Sequence, residues 1–379
     1  MSLLRFQDPD DQVDPELRVA APVEPDPSDV ERLRAVVGFP LVSLIVATTP
    51  GAALGCDDIV RLAAMLAEVE HRLRREVDVH AAVELADRCR ATVIDLLDEP
   101  TGHGLAVFVG AQCAEAFRLP HRPVDRVVID PTFATRELEL AVRLSPRCRV
   151  VVLGTDAARM YLVDRGSCVE RSTASFPVAV PPRRSRIGTH LERVASGLAG
   201  DQGTADLPLV LVGPRLMTLT LAKLVGVEPL AMIDRRMPDL GSDAILAIAR
   251  SAMASAAGSE CDRAFDRLDD AAHDGVSAIG LDAVWDAALD GTIELVVVDR
   301  EFSRAAIVDP TSGTARWVDD PSATGVIDDV VDELIELTRL AGGDVVFVNR
   351  GELGPDQIAA VRRTATHPFD PARLAGATR

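Results

Sequence analysis

The chain has 379 residues, of which 47% are hydrophobic and 26% charged, with a formal net charge of −19. That length exceeds what one hydrophobic core carries and suits two or three domains. The acidic balance excludes a protein that coats nucleic acid with its whole surface, although screening over about 8 Å at physiological salt leaves room for a local basic patch.

Composition removes further chemistries. No apolar run approaches the roughly 20 residues that span a bilayer. The N-terminus has no apolar core region and no small-residue cleavage site, so a cytoplasmic protein without membrane contact is expected. Six cysteines (Cys56, Cys89, Cys113, Cys148, Cys168, Cys261) include no Cys-x-x-Cys pair and none beside a histidine. They read as reduced thiols rather than a zinc or redox site. Lys223 is the only lysine and Asn349 the only asparagine, so the positive charge is almost all guanidinium.

Residues 1–29 form an acidic, proline-rich tail that buries too little apolar surface to offset its ordering entropy, and a disordered segment is expected. A first α/β domain is expected over 30–147. Residues 41–48 read as a strand, 57–77 as an amphipathic helix with Ile59, Leu62, Leu66, Val69 and Leu73 at helical spacing, and a second helix follows to about 97. Strands are expected at 105–109, 116–119 and 127–129, then a helix over 133–144.

A middle domain is expected over 148–240. Residues 150–153 and 159–163 read as hairpin partners, a turn at 164–166 leads to a third strand at 168–171, and strands at 209–212 and 230–233 flank a helix over 214–223. A connector helix is expected within 241–272. The last domain, 273–379, reads as helix 276–289, strands 293–298 and 305–308, helix 326–340, strand 345–348 and helix 357–363. Alternating elements of this size imply an α/β class.

The signatures of catalysis are missing: no Gly-rich phosphate loop, no dinucleotide-binding turn, no His-Glu-x-x-His and no nucleophile elbow. No catalytic residue, metal site or cofactor is expected. Asp328, Asp329, Asp332 and Glu333 fall along one predicted helix and read as a solvated acidic face. Trp285 and Trp317 read as core. One segment departs from the acidic background. Residues 181–190, Pro-Pro-Arg-Arg-Ser-Arg-Ile-Gly-Thr-His, hold Arg183, Arg184 and Arg186 with no acid before Glu192. Arginine forks match phosphate oxygens, and Gly188 admits close backbone approach. Arg183, Arg184, Arg186, Gly188, Thr189 and His190 are the candidate RNA-binding residues.

Residues 104–170 carry a resemblance. They read Gly-Leu-Ala-Val-Phe-Val-Gly, Glu-Ala-Phe-Arg-Leu-Pro, Arg-Val-Val-Ile-Asp, a helical segment, then Arg-Val-Val-Val-Leu-Gly-Thr-Asp-Ala-Ala-Arg-Met-Tyr-Leu-Val-Asp. Three apolar strands, a helix and a new hairpin opening a second sheet resemble the bacterial relatives of the archaeal and eukaryotic class-I release factors, a group that includes Pelota-like and Balon-like ribosome factors. The resemblance implies a three-domain architecture with an RNase H-like middle domain and an α/β sandwich at the C-terminus. It also implies a middle-domain loop that enters the peptidyl-transferase centre, here residues 180–191. The Gly-Gly-Gln of true release factors is absent, as is Asn-Ile-Lys-Ser.

The implied function is therefore a non-catalytic factor that occupies the ribosomal A site, in hibernation or in rescue of stalled ribosomes. Its partners would be ribosomal RNA and elongation factor Tu or another translational GTPase. Two other readings stay open: a divergent peptidyl-tRNA hydrolase using His190 as general base, and a stress-linked interaction protein that never meets a ribosome.

Overall fold

The computed structural model describes residues 20–363 apart from 146, 155, 156, 165, 174, 175, 180–186, 236–240, 310, 320–322 and 324. Among the described residues three larger sheets, flanked by helices, follow one another along the chain, and a two-stranded hairpin accompanies the last.

The first unit begins earlier than the sequence suggested. Helix α1 (Pro27–Arg34) starts inside the expected tail because Asp26 caps it, accepting from the backbone N–H groups of Ser28 and Asp29, with Pro27 at the first helical position. Just before it, Val23 bridges Phe117, and the Ser145 hydroxyl donates to Glu24 at 2.6 Å. Residues 20–29 are thus tied to the first sheet, while 1–19 lie outside the described residues.

That sheet holds β1 (Val37–Ala47), β2 (Gly104–Val109), β3 (Ala114–Leu119) and β4 (Arg126–Thr132) in the order β3-β2-β1-β4, all antiparallel. Alternating side chains serve two cores. Val42, Leu44 and Val46 face α2 (Cys56–Glu76) and α3 (Val79–Asp95), while Leu41 and Ile45 face α1 and α4 (Arg136–Leu144). On that second face Phe133 packs edge-to-face on Phe108 at 5.4 Å. Burial of α2 through Leu62, Val69 and Leu73 contributes about 1.5–3 kcal/mol per side chain.

The second sheet contains β5 (Cys148–Leu153), β6 (Ala157–Asp164) and β7 (Ser167–Glu170) as an antiparallel meander. Two further strands, β9 (Leu209–Gly213) and β10 (Ala231–Asp234), lie parallel to β5 on its other side. The order β10-β9-β5-β6-β7 is the RNase H-like arrangement. A short strand, β8 (Val178–Ala179), pairs with the start of β6. Helices α5 (Ile187–Gly200) and α6 (Arg215–Val225) cover one face, and α6 stops at Gly226, whose φ of 70° only glycine adopts at little cost.

The other face receives α7 (Ser242–His273), a 32-residue helix about 48 Å long at 1.5 Å rise per residue. Its first half buries Ile245, Ile248 and Ala249 on the second sheet, and its second half buries Ala264 and Ala271 on the third. The third sheet combines β11 (Ser277–Ile279), β12 (Ile293–Asp299), β15 (Asp344–Val348) and β16 (Ile358–Arg362) in the order β11-β16-β12-β15. Helices α8 (Leu281–Leu289) and α9 (Val330–Leu340) cover the face opposite α7, with the hairpin β13 (Ala305–Val308) and β14 (Ala315–Val318) beside them.

Two expected helices differ. In place of the helix expected over 357–363 the chain forms β16, Ile358–Arg362, paired on both sides, because a run of four apolar residues has no period of its own and takes the one its neighbours impose. The helix expected over 276–289 divides at Gly280, whose φ of 81° ends β11 and allows α8 to start afresh. Trp285 is core, its Nε1 donating to the Gly313 carbonyl at 3.0 Å, while Trp317 sits half-buried against it, edge-to-face. Among the described residues no helix is long and apolar enough to cross a membrane.

Candidate functional site

Of the six candidate residues, Arg183, Arg184 and Arg186 lie outside the described residues, and Gly188, Thr189 and His190 form the first turn of α5. The chain reaches this helix from β8 at the rim of the second sheet. Helix α5 is anchored by Leu191, Val194 and Leu198, which pack against Val151, Met160 and Leu211. Gly188 and Thr189 remain exposed, and among the described residues a Cβ on Gly188 would meet nothing within 4 Å. No acidic residue occupies the turn. A helix start offers backbone N–H groups without intrahelical partners and the positive end of the macrodipole, so this turn favours an anion.

His190 takes the opposite direction. It is 2% exposed, on the apolar side of α5 beside Leu191 and Val194, with its ring near the Ala179 backbone. Burial pushes its pKa below the ordinary histidine value and Arg193 adds to this, against the opposing influence of the Ala179 backbone. The RNA-contact expectation for His190 therefore meets a ring withdrawn from solvent. The helical period is the reason: one position beyond Thr189 turns the side chain by about 100° onto the sheet. The same burial keeps the imidazole from reaching an ester bound outside. The exposed part of the turn presents Gly188 and the Thr189 side chain.

The acidic run read as a solvated face is a buried contact between the first and third units. Asp329 caps α9, accepting from the Val331 N–H, and Asp328 precedes it. Arg72 of α2 donates through Nη2 to both Asp328 carboxylate oxygens, at 2.7 and 2.6 Å, and the Ile129 N–H adds a bond at 2.9 Å. Arg126 of β4 and Arg136 of α4 both pair with Asp329, the latter at 2.8 Å. Both also approach Asp332, and Arg136 bonds the Phe302 carbonyl. Thr132 donates to Glu333 at 2.9 Å. Nearby, Glu139 joins Arg34 to Arg339.

The electrostatics follow from burial in this contact. Burial pushes Asp328 up to about 6 against the pull of Arg72, and Asp332 up to about 6 against Arg136. Burial and the neighbouring Asp328 raise Asp130 well above the carboxylate range, and its carboxylate accepts from the Asp328 N–H. Glu336 rises to about 8 through burial and the charge of Glu333. The helix expected over 326–340 starts only at Val330, because Asp329 caps it. No local pattern marks the partners of these carboxylates, because they lie about 200 residues away or more.

Little else suggests chemistry. Among the described residues no group of three or more His, Cys, Asp or Glu could hold a metal ion. All six cysteines are free, and burial pushes the thiols of Cys89 and Cys148 up to about 12 and about 11, where they are not nucleophilic at neutral pH.

No protein-family model matches the chain, and no curated protein matches it. Solved structures do. The chain is similar to S. cerevisiae Dom34, a translation termination-like factor involved in RNA quality control pathways and interacting with Hbs1, at 14% identity over 74% of this chain and 77% of that one, with a TM-score of 0.42. Ribosome-bound archaeal Pelota, in a model that also contains ABCE1, is 15% identical over 91% and 96% of the two chains, with a TM-score of 0.42. Archaeoglobus fulgidus Pelota is 17% identical over 93% and 94%, with a TM-score of 0.34.

Proposed function

We propose that this protein is a non-catalytic translation factor that occupies the ribosomal A site, in hibernation or in rescue of stalled ribosomes. The observation that carries the reading is the first turn of α5: open, free of carboxylates, at the edge of an RNase H-like sheet, and directly preceded in sequence by three arginines. In this reading Arg183, Arg184, Arg186, Gly188 and Thr189 grip ribosomal RNA by charge and backbone N–H groups, and no bond is broken. The domains divide near 147 and 240, with α7 as the connector that holds the RNA-binding unit at a fixed distance from the third sheet. The third unit meets a translational GTPase, with elongation factor Tu as the first candidate.

Cosedimentation with purified ribosomes tests this. Binding at low salt that weakens when Arg183, Arg184 and Arg186 become alanine is expected, with no release of labelled peptide from stalled complexes. Failure to pellet at low salt would leave a protein that acts away from ribosomes, and release of peptide would make it a hydrolase.

A further inference from the structure

A cavity of about 780 Å³ lies where α4, the middle of α7 and the third sheet meet. Its floor is apolar, built from Leu140 and Leu144 of α4, Met253 and Ala257 of α7, and Leu295 and Val346 of the third sheet. Its rim is cationic. Arg143, Arg263, Arg267 and Arg300 line it against only Glu260 and Asp344, four positive groups against two negative, in a chain of net charge −19.

Three of these arginines keep donors to spare. The Arg300 guanidinium is half-buried and has no partner among the described residues. Arg263 spends only Nε, on the Ser259 carbonyl at 3.0 Å. Arg267 spends one Nη on Glu294 at 2.6 Å and leaves the rest of its fork free. Arg143 is committed: it donates to the Val345 carbonyl at 2.7 Å, lies over the Phe347 ring at 5.7 Å and approaches Glu260 at 3.4 Å. It shapes the wall, and the other three are available to a ligand.

An apolar floor under a guanidinium rim complements a flat, weakly polar body that carries anionic groups. The volume falls within the roughly 300–1,000 Å³ of small-molecule sites, and guanidinium forks bind phosphate oxygens bidentately. Inorganic phosphate or an RNA backbone would use the rim and leave the floor empty. We propose that this cleft binds a nucleoside di- or triphosphate, with its base against the floor and its phosphates on Arg263, Arg267 and Arg300. The walls come from the first unit, the long helix and the third sheet, so the ligand ties all three together. This site is remote from α5 in the chain and stands whether or not the protein binds ribosomes.

Calorimetric titration of the full-length protein with ADP, ATP, GDP, GTP and inorganic pyrophosphate, in EDTA and at two salt concentrations, tests it. At least one nucleotide should bind at least about tenfold more tightly than pyrophosphate, and added salt should weaken it. Arg300→Gln and Arg267→Gln should each weaken it about tenfold or more, the usual effect of losing a charge-assisted hydrogen bond. Arg74→Gln, exposed on α2 and paired with Glu70, should leave it unchanged. Ala257→Trp, which fills the floor and spares the arginines, should abolish nucleotide binding, with thermal melting to report the fold. If Ala257→Trp does not fold, the two glutamine variants decide alone. The proposal is overturned if no nucleotide binds more tightly than about 1 mM, if pyrophosphate binds equally well, or if affinity ignores both arginine variants.

Discussion

Arg72 and Asp328 stand 256 residues apart in the chain and meet as a buried pair, both carboxylate oxygens bonded to one guanidinium nitrogen at 2.7 and 2.6 Å. The pair joins the second helix of the first unit to the entry of α9 in the third. Its environment fixes what its loss should do. Removing one partner of a buried ion pair strands the other charge and costs about 3–5 kcal/mol, whereas replacing both by apolar groups of similar volume is often close to neutral. Arg72→Ala should therefore lower unfolding free energy by about that amount, and Arg72→Met with Asp328→Leu should recover much of it. Urea denaturation of the two single variants and the double variant checks this, and additive losses would contradict it.

The same contact should make stability depend on pH through Glu336. Its pKa in the folded protein is about 8, against an ordinary value of 4.5. The folded state therefore holds a proton that the unfolded state releases, and stability falls with rising pH wherever the folded state binds more protons than the unfolded one. The contribution is fully present below 4.5 and is lost as pH climbs through 8. Glu336→Gln removes the ionisation, so it should stabilise by about 1–3 kcal/mol at pH 8, after discounting for partial exposure, and by little at pH 5. Thermal melts across this range decide. A gap between variant and wild type that does not widen with pH would refute the burial argument.

For the α5 turn, the salt dependence of ribosome binding is the measurement. Each phosphate contact contributes about 0.7–0.9 to the slope of log affinity against log salt. Replacing Arg183, Arg184 and Arg186 by alanine should reduce the slope by about 2–3 if each arginine holds one phosphate. An unchanged slope would mean that these side chains contact no phosphate.

His190 offers a test with the opposite sign to Glu336. Its pKa is lowered in the fold, so the unfolded state takes up a proton first as pH falls, and stability drops below about 6.5. His190→Leu keeps the packing beside Leu191 and Val194 and removes that liability. The variant should match or exceed wild type in melting temperature at pH 7, and the advantage should grow at pH 5. Ribosome affinity should not change. A loss of ribosome binding in a well-folded His190→Leu would return the ring to the interface.

Parts of this molecule were legible early because they rest on local rules. The α2 period set by Leu62, Val69 and Leu73, the hairpin of β5 and β6, and the short apolar run of β9 all follow from local pattern. Helix α1, capped by Asp26 and opened by Pro27, lies inside a segment whose composition alone reads as a disordered tail. Residues 358–362 were misread because Ile-Ala-Ala-Val-Arg satisfies either period, and only the flanking β11 and β12 decide between them. The three arginines before α5 were visible in sequence as a break in an acidic chain. The inward turn of His190 depended on where the helix begins, which the sequence left open by a residue or two.

By itself, then, the sequence determined the α/β class, the absence of familiar catalytic motifs and the one arginine-rich segment, because composition and periodicity are carried by neighbours in the chain. Tertiary structure alone decided the fate of Asp328, Asp329, Asp332 and Glu333. A carboxylate on a helix is solvated or buried according to what packs against it, and the guanidinium groups of Arg72, Arg126 and Arg136 arrive from elements about 200 residues away or more. The rim of Arg263, Arg267 and Arg300 is of the same kind. It becomes a site only when a long helix and a sheet edge are brought together, which no local pattern records.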